Sequence, residues 1–292
     1  MIRHFIRSSV IAALLAACAL PAEGATKKRS RRAPRQVEPA AETAEDSSGI
    51  PRTRAASVLV ADATTGQVLY EKNADQQRPP ASTQKLLTAL LIVEAGTLDK
   101  RVMVAASDTR VEPVTLGIKP GEVYTRRELL QVLLVHSVND VACVLARDNA
   151  GSVAEFADKM NAKAQELGMK KSHFVNPNGL PAPDQYSSAR DMARLALAAY
   201  RSPTIRSIVS TKSLVFEFAD GRLEAFRNTN RILRDSPFCN GMKTGYTQAA
   251  GHCLVSSGTR NGREVIAVVL GDKDRSCLWR DSSSLLAWGL SL

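Results

Sequence analysis

Residues 79–96 read PPASTQKLLTALLIVEAG, and they predict a helix buried in the middle of a large core. The two prolines cannot continue a helix, but they can deliver the chain to the start of one. We expect Ser82 to cap that start and Gly96 to end the helix. The segment between them is apolar on nearly every face, which is typical of a helix surrounded by other elements.

Only the first turn of this helix is polar, and it holds two groups that can react. Ser82 and Lys85 are three residues apart, so they lie side by side on one face of a helix. Burial lowers the pKa of a lysine and frees its amine to act as a base, and a serine hydroxyl beside such an amine is an activated nucleophile. The S-x-x-K pattern is short and frequent, however, and an ordinary serine-capped core helix with a snorkelling lysine also fits it.

The composition allows one large domain or two small ones, since 44% of the 292 residues are hydrophobic. The formal net charge of +10 is uneven, and residues 1–55 carry half of it. Residues 25–55 are rich in Lys, Arg, Ala, Pro, Glu and Ser, which predicts a disordered charged linker. This linker has no aromatic residue for stacking on bases, so we expect no nucleic-acid partner.

The N-terminus is predicted to be a secretory signal. Two arginines precede an apolar run over residues 10–20, which is too short to span a membrane. An ordinary signal peptidase would remove residues 1–24. The residues before Cys18 also resemble a bacterial lipobox, in which case residues 1–17 are removed and Cys18 is lipidated. Both cuts predict an exported protein, periplasmic or held in the cell envelope, whose only membrane attachment would be a lipid on Cys18.

The other cysteines show no metal-binding pattern. They are Cys143, Cys239, Cys253 and Cys277. They form no C-x-x-C pair and lack the histidine spacing of a zinc site, so we expect no metal. Cys143 lies in an apolar helical run and Cys253 in a strand, where buried free thiols are the default. Export would also permit a Cys239–Cys277 disulfide, and for this pair both alternatives stay open.

The remaining periodicities predict an α+β fold with one ordered domain over residues 56–292. Strand-like runs at 57–62 and 67–72 form an early hairpin, and two later hairpins turn at Asp220–Gly221 and around Asn261–Gly262. We predict helices at 125–135 with a Thr125–Glu128 capping box, at 152–167, from Ser187 or Ser188 onward, and at 276–288. This order indicates one antiparallel sheet built from both chain ends, with a helical insertion beside it.

A second polar segment, HSVND, occupies residues 136–140 between two predicted helices. We expect Asp140 to cap the second helix, which leaves Ser137 and Asn139 on a turn that can point into a cleft. His136 is interpreted as a structural residue. On its own this is an ordinary turn between helices.

A third polar segment, GMKTGYT, occupies residues 241–247 and is typical of a strand. Glycines inside a strand let another backbone approach closely. Lys243 and Thr244 there offer a cation and a hydroxyl to a substrate carboxylate. On its own this too is ordinary, a strand lysine followed by a turn glycine.

Taken together and in this order, the three polar segments resemble the active-site triplet of the penicillin-recognising serine enzymes. The triplet is Ser82-x-x-Lys85, Ser137-Val138-Asn139 and Lys243-Thr244-Gly245. The surrounding words PASTQK, NPNGL, YSSARDMA and GMKTGYT are similar to those of the low-molecular-mass D-alanyl-D-alanine carboxypeptidases. The resemblance covers residues 56–289. It implies a five-stranded antiparallel sheet flanked by helices, with a helical subdomain, as in β-lactamases and transpeptidases.

The resemblance also implies a catalytic mechanism. Ser82 would attack the carbonyl between the two terminal D-alanines of the peptidoglycan stem peptide, and Lys85 would take its proton. The N–H groups of Ser82 and Tyr246 would hold the oxyanion while D-alanine leaves. Ser137 would relay a proton to the leaving amine, and Asn139 would hold both the substrate amide and Lys85.

Substrate binding is implied for the third segment. Lys243 and Thr244 would bind the terminal carboxylate of the peptide, beside Gly245 and Tyr246 on the same strand. β-Lactams would be covalent inhibitors that acylate Ser82. No metal or cofactor is required.

Three departures from the family pattern limit what the resemblance implies. Val138 replaces the Asp of the β-lactamase S-D-N pattern, and no matching loop Glu is in a position to activate water, so we expect a slow penicilloyl adduct on Ser82 rather than rapid β-lactam hydrolysis. Leu278 occupies the usual place of an Arg that assists carboxylate binding, and with Arg275 and Arg280 nearby this contact stays unassigned. Because the chain ends at Leu292, we expect neither a C-terminal β-rich domain nor a C-terminal membrane anchor.

Three rival functions stay open beside a D-alanyl-D-alanine carboxypeptidase. A D,D-endopeptidase that cuts cross-links would use the same residues. A β-lactamase would turn over β-lactams rapidly, and a peptidoglycan-binding module would be catalytically idle. The presence of every residue of the triplet argues against the idle module.

Overall fold

The computed structural model describes residues 49–292. The predicted signal peptide, the lipidation site at Cys18 and most of the predicted linker therefore lie outside the described residues. The last residues of the predicted linker contact the domain, since Ala55 is buried and the Arg54 N–H donates to the Asp281 carboxylate at 2.9 Å. In this part of the chain, no helix is both long enough and apolar enough to cross a bilayer.

The strands of this part of the chain are β1 (Ser57–Asp62), β2 (Val68–Lys72), β3 (Arg101–Met103), β4 (Val123–Thr125), β5 (Ser213–Glu217), β6 (Leu223–Arg227), β7 (Cys239–Thr247), β8 (Gly251–Arg260) and β9 (Arg263–Asp272). The helices are α1 (Lys85–Glu94), α2 (Arg126–His136), α3 (Asn139–Ala150), α4 (Val153–Glu166), α5 (Ala189–Tyr200), α6 (Pro203–Val209), α7 (Ile232–Asp235) and α8 (Arg275–Gly289). A 3₁₀ turn, Ala81–Gln84, precedes α1.

The central sheet has five antiparallel strands in the order β2-β1-β9-β8-β7, so its strands come from both ends of the chain. This confirms the predicted α+β fold and its five-stranded antiparallel sheet. Strands β1 and β9 lie inside the sheet and are buried on both faces, which explains their nearly continuous apolar sequences. The β8–β9 hairpin turns at Asn261 and Gly262, whose φ angles of 50° and 81° suit a two-residue hairpin turn.

Helices cover both faces of this sheet. Along β1, Leu59 and Ala61 belong to one hydrophobic core and Val58 and Val60 to the other, because side chains alternate between the faces of a strand. The larger core lies on the side of α5 and contains α1, which contacts every helix from α2 to α6. The smaller core lies under α8. The predicted burial of α1 in the middle of a large core is therefore confirmed.

The β5–β6 hairpin does not join the central sheet, so the prediction of a single sheet is wrong for this hairpin. It forms a two-stranded sheet of its own and contacts α2. Phe216 and Phe226 are buried, whereas Val215 and Leu223 on the opposite face are 66% and 64% exposed. A hairpin that is apolar on only one face can bury that face against a helix, so it does not need to pair with strands of the central sheet.

Most local helix signals are confirmed. The Thr125–Glu128 capping box is present at the start of α2, and Ser152 and Ser188 cap α4 and α5. The predicted terminal helix is α8. All four described cysteines are buried free thiols, so Cys239 and Cys277 are not bridged.

Candidate active site

Ser82 lies in the 3₁₀ turn before α1 and does not cap that helix. The predicted cap is wrong because α1 begins at Lys85, and Gln84 before it has helical backbone angles and no side-chain cap bond. The Ser82 hydroxyl instead donates to the Asn178 carbonyl at 3.3 Å and lies 2.8 Å from Lys85 Nζ. Because Ser82 lies in this tighter turn, its hydroxyl contacts a base and does not cap a helix.

The Lys85 amine is completely buried and has three oxygen neighbours. Its Nζ lies 2.8 Å from Ser82 Oγ, 2.7 Å from Asn139 Oδ1 and 2.6 Å from the Asn178 carbonyl. Burial, and after it the charge of Lys243, holds the pKa of Lys85 well below its usual value. A neutral amine has two N–H donors and one lone pair. It can donate to Asn139 and Asn178 and, once the Ser82 hydroxyl turns its proton from the Asn178 carbonyl toward Nζ, accept that proton, as a general base must.

Ser137 and Asn139 lie at the junction of α2 and α3. Ser137 ends α2 with a left-handed backbone (φ 73°), and Asn139 begins α3. The Asn139 side chain uses both ends of its amide, because Oδ1 accepts from Lys85 and Nδ2 donates to the Pro113 carbonyl at 2.6 Å. It therefore ties the Lys85 amine to the loop at Pro113.

Asp140 is not the cap of α3, contrary to the sequence prediction. Val138 occupies the cap position and Asp140 the first turn. The buried Asp140 carboxylate instead accepts from the N–H groups of Leu116 and Gly117 at distances of 2.9–3.1 Å. These hydrogen bonds hold the loop that follows Pro113 in place, and this loop forms one wall of the groove described below.

Lys243 reaches the same site from β7. Its Nζ donates to Ser137 Oγ at 2.8 Å, and the residue is only 1% exposed. Burial lowers the pKa of Lys243 to about 7. The structure thus brings the three predicted segments together, each lysine amine contacting a serine hydroxyl.

The residues after Lys243 line the groove next to the 3₁₀ turn. Thr244 Oγ1 shares a 2.6 Å hydrogen bond with Thr229 Oγ1. Gly245 packs so closely that an added Cβ would lie 2.9 Å from the Ser82 nitrogen. Tyr246 is 60% exposed and stacks on His252, with ring centroids 4.4 Å apart. A side chain at position 245 would push the strand away from the nucleophile.

These residues line a groove with a volume of about 430 Å³. Its polar lining includes Ser82, Ser137, Asn139, Thr229, Thr244, Thr247 and Arg275, and its apolar lining includes Val114, Leu180, Leu278 and Trp279. A mixed lining of this kind suits a peptide with a small apolar side chain and a polar end. Within residues 49–292, no group of three or more His, Cys, Asp or Glu is arranged to hold a metal ion.

Two backbone or hydroxyl partners in the site have no role in the sequence prediction. The Asn178 carbonyl contacts both Ser82 and Lys85, and Thr229 contacts Thr244. Thr229 belongs to no recognisable motif. The glycine that follows Asn178 is the sequence signal that could have indicated the Asn178 contact. Gly179 has a φ of 86°, and its backbone approaches Ala81 too closely for a side chain.

Leu278 occupies the place where the family usually has an Arg that assists carboxylate binding, and the residues near it differ in whether they line the groove. Leu278 and Arg275 both line the groove. Arg280 does not, and its guanidinium pairs with Asp281 at 2.9 Å. His136 lies against Phe226, with ring centroids 4.6 Å apart, and it also lines the groove.

Comparison with known sequences identifies the family that this site resembles. The sequence model of the D-alanyl-D-alanine carboxypeptidase family matches residues 42–274. D-alanyl-D-alanine carboxypeptidase DacB2 of Mycobacterium tuberculosis is 36% identical over 83% of this chain and 84% of its own length. The carboxypeptidase DacF of Bacillus subtilis is 37% identical over 74% of this chain, which spans 57% of that protein. A D-alanyl-D-alanine endopeptidase of Escherichia coli is 34% identical over 82% of this chain and 78% of its own length.

Solved structures give the same result. A D-alanyl-D-alanine carboxypeptidase from Mycobacterium tuberculosis superposes with a TM-score of 0.79 at 34% identity, covering 83% of this chain and 93% of its own. The DD-transpeptidase of Streptomyces K15 superposes with a TM-score of 0.79 at 29% identity, covering 83% of this chain and 99% of its own.

Proposed function

The chain belongs to the D-alanyl-D-alanine carboxypeptidase family of serine peptidases, and we propose that its groove removes the terminal D-alanine from peptidoglycan stem pentapeptides through an acyl-enzyme on Ser82. One observation carries this proposal: a completely buried lysine amine lies 2.8 Å from the hydroxyl of an accessible groove serine. Mass spectrometry of D-alanine release from a pentapeptide muropeptide tests it.

Acylation begins with the neutral Lys85 amine. It accepts the Ser82 proton while Oγ forms a bond to the carbonyl carbon of the penultimate D-alanine. The backbone N–H groups of Ser82 and Tyr246 hold the resulting oxyanion. The C–N bond then breaks, and the Ser137 hydroxyl gives its proton to the leaving amine. The proton that Lys85 took from Ser82 replaces it, so Lys85 is again a neutral base, while Lys243 keeps its charge and its contact with Ser137.

Deacylation uses the same base. A water molecule attacks the acyl carbon, Lys85 receives its proton, and Ser82 Oγ leaves as the hydroxyl is restored. Asn139 keeps the amine in position throughout through the 2.7 Å contact of its Oδ1. Before acylation, Lys243 and Thr244 hold the carboxylate of the terminal D-alanine, beside Gly245 and Tyr246.

The pH dependence of kcat/KM is expected to be bell-shaped, with one limb from each buried lysine. Lys85 is a base only when neutral, so kcat/KM rises as pH increases through its lowered pKa. Lys243 attracts a carboxylate only when charged, and its pKa of about 7 makes kcat/KM fall above that pH. Initial rates of D-alanine release at subsaturating peptide measure both limbs.

The Lys243→Arg variant is the control for this assignment. An arginine stays charged throughout the range, so the alkaline limb should disappear even where the variant is slower overall. An alkaline limb that persists unchanged in Lys243→Arg would show that another group titrates.

Penicillin is expected to form a long-lived adduct on Ser82. Val138 lies buried where the β-lactamase pattern has Asp, and no Asp or Glu among residues 49–292 lines the groove, so no carboxylate is placed there to activate water. Intact-mass measurements after mixing with penicillin should show one penicilloyl group per chain that persists for many catalytic turnovers of peptide. Rapid nitrocefin turnover would instead indicate a β-lactamase, and a complete lack of labelling would indicate an idle binding module.

A D,D-endopeptidase is the second candidate. Relatives from Escherichia coli and Pseudomonas aeruginosa, 34% and 36% identical, are named D-alanyl-D-alanine endopeptidases. The same residues would cleave the cross-link, with a second stem peptide as the leaving group in place of D-alanine. Parallel assays with a pentapeptide and a cross-linked dimer separate the two activities.

The proposed substrate places the enzyme in the cell envelope. Export through the predicted signal would bring it to the peptidoglycan, either free after removal of residues 1–24 or held by a lipid on Cys18. The intact mass of the mature protein tests this, because a free N-terminal Ala25 excludes the lipid.

A further inference from the structure

A second cavity adjoins the groove, and arginines dominate its wall. It has a volume of about 840 Å³ and is lined by three arginines, one carboxylate and four uncharged residues, namely Arg231, Arg234, Arg275, Asp235, Asn228, Thr229, Ser276 and Trp279. We call it the arginine basin. Thr229, Arg275 and Trp279 also line the groove, so the two cavities share one wall.

The basin opens on the leaving-group side of the groove. In the proposed reaction, Thr244 holds the carboxylate of the leaving residue. Thr244 Oγ1 is hydrogen-bonded at 2.6 Å to Thr229 Oγ1, which lines the basin. The basin therefore begins one hydrogen bond beyond the leaving carboxylate. A leaving group larger than one residue would extend into it.

The charge of the basin is positive and largely uncompensated. Arg231 pairs with Asp235 at 2.9 Å, but both side chains are more than half exposed (59% and 57%), so water and salt screen the pair. Among residues 49–292, neither Arg234 nor Arg275 has a carboxylate partner within salt-bridge distance. Three guanidinium groups thus face a single carboxylate, which makes the basin a site for anions.

A single D-alanine gives these arginines nothing to bind. Its only carboxylate is held by Lys243 and Thr244 in the proposed reaction. A second stem peptide, linked through its amine to the penultimate D-alanine carbonyl, brings further carboxylates beyond that position. Trp279, which lines both cavities, offers apolar surface to the chain that joins them.

We propose that the arginine basin binds a carboxylate of the leaving stem peptide, and that it makes cross-linked dimers substrates of this enzyme. The inference rests on the proposed acyl-enzyme function. In the dimer, the bond from Ser82 Oγ to the D-alanine carbonyl forms and the cross-linking C–N bond breaks. The freed amine of the second stem takes a proton, and water completes hydrolysis as it does for the pentapeptide.

The experiment compares two substrates in one set of variants. The Arg231→Gln/Arg234→Gln double variant avoids Arg275, which also lines the groove. We expect the ratio of kcat/KM for a cross-linked dimer to kcat/KM for a pentapeptide to fall about tenfold, as the loss of charged hydrogen bonds predicts. The single variant Arg234→Lys keeps the charge at this position, so it should keep a larger part of the ratio than the double variant does.

Two controls isolate the charge from general damage. Arg201→Gln removes an exposed arginine at the end of α5 that lines neither cavity, and it should leave the ratio unchanged. A dimer whose leaving stem is amidated at every carboxylate except the one next to the cleaved bond, which Thr244 holds, should lose its dependence on Arg231 and Arg234. The rate of penicillin acylation reports that each variant is folded and has an intact nucleophile.

The outcomes separate this inference from the proposed function. An active enzyme whose ratio is the same in the wild type and the double variant overturns the basin assignment alone. So does a wild type that releases D-alanine but leaves the dimer intact. A wild type that neither releases D-alanine nor reacts with penicillin overturns the proposed function, and the basin assignment with it.

Discussion

Replacing Ser82 with alanine is expected to lower D-alanine release by roughly 10⁶-fold and to abolish penicillin labelling, as the removal of a catalytic nucleophile does in other serine peptidases. Lys85 Nζ has three oxygen neighbours, and only Ser82 Oγ belongs to a hydroxyl that it can deprotonate. Without that oxygen, the groove can still bind a peptide but cannot form an acyl-enzyme. The loss should therefore appear in kcat rather than in substrate binding.

Two measurements check this result. Mass spectrometry quantifies D-alanine release, and a fluorescent penicillin followed by peptide mapping locates the labelled residue. Ser207→Ala, which removes an exposed serine hydroxyl from α6, is the matched control and should retain both activities. Labelling of Ser82→Ala at another residue would move the nucleophile elsewhere and would remove the basis of the proposed mechanism.

The parts of the fold that were predictable from the sequence are those set by local chemistry. The Thr125–Glu128 capping box and the Asn261–Gly262 turn each follow from the residue types at a few neighbouring positions. The continuous apolar sequences of β1, β9 and α1 likewise require burial on all sides. These signals suffice for a sheet built from both chain ends with helices beside it.

The errors arise where a tertiary contact overrides a local preference. Ser82 and Asp140 are both residue types that cap helices well, but each makes a tertiary contact in place of a cap. Ser82 contacts Lys85 and the Asn178 carbonyl, and Asp140 binds the backbone of the loop after Pro113. Residue type alone cannot show which partner prevails.

The site was predictable in its side chains and not in its backbone. Residue type and spacing were enough to predict Lys85, Asn139 and Lys243, and the structure brings these side chains together at one groove. The Asn178 carbonyl carries no residue-specific signal, because every residue has one. The arginine basin also escapes detection, since α7 and the start of α8 meet only in the folded chain.

Gly179→Ala is expected to lower kcat/KM by at least about 100-fold, because displacing reacting groups by about 1 Å has that effect. An added Cβ at Gly179 would lie 2.2 Å from the Ala81 carbonyl oxygen and 2.8 Å from the Ser82 nitrogen. Both neighbours are backbone, so neither can rotate away as a flexible side chain could. Either the 3₁₀ turn or the segment at Gly179 has to move.

Either movement damages the same two contacts. The carbonyl next to Gly179 belongs to Asn178, which accepts from Lys85 Nζ at 2.6 Å and from Ser82 Oγ at 3.3 Å. A shift of this carbonyl releases the amine, and a shift of the turn carries the nucleophile away from it. Penicillin acylation should slow together with peptide hydrolysis, because both begin with the same proton transfer.

Gly168→Ala separates this clash from ordinary backbone strain. Gly168 also has a left-handed backbone (φ 71°, against 86° at Gly179), but no atom lies within 4 Å of its added Cβ. Each alanine should cost about 1–2 kcal/mol of unfolding free energy for the unfavourable φ, measurable by urea denaturation. Only Gly179→Ala should also lose acylation. Should the two variants react with penicillin equally fast, the segment at Gly179 does not hold Ser82 and Lys85 in register, and the buried amine alone sets their geometry.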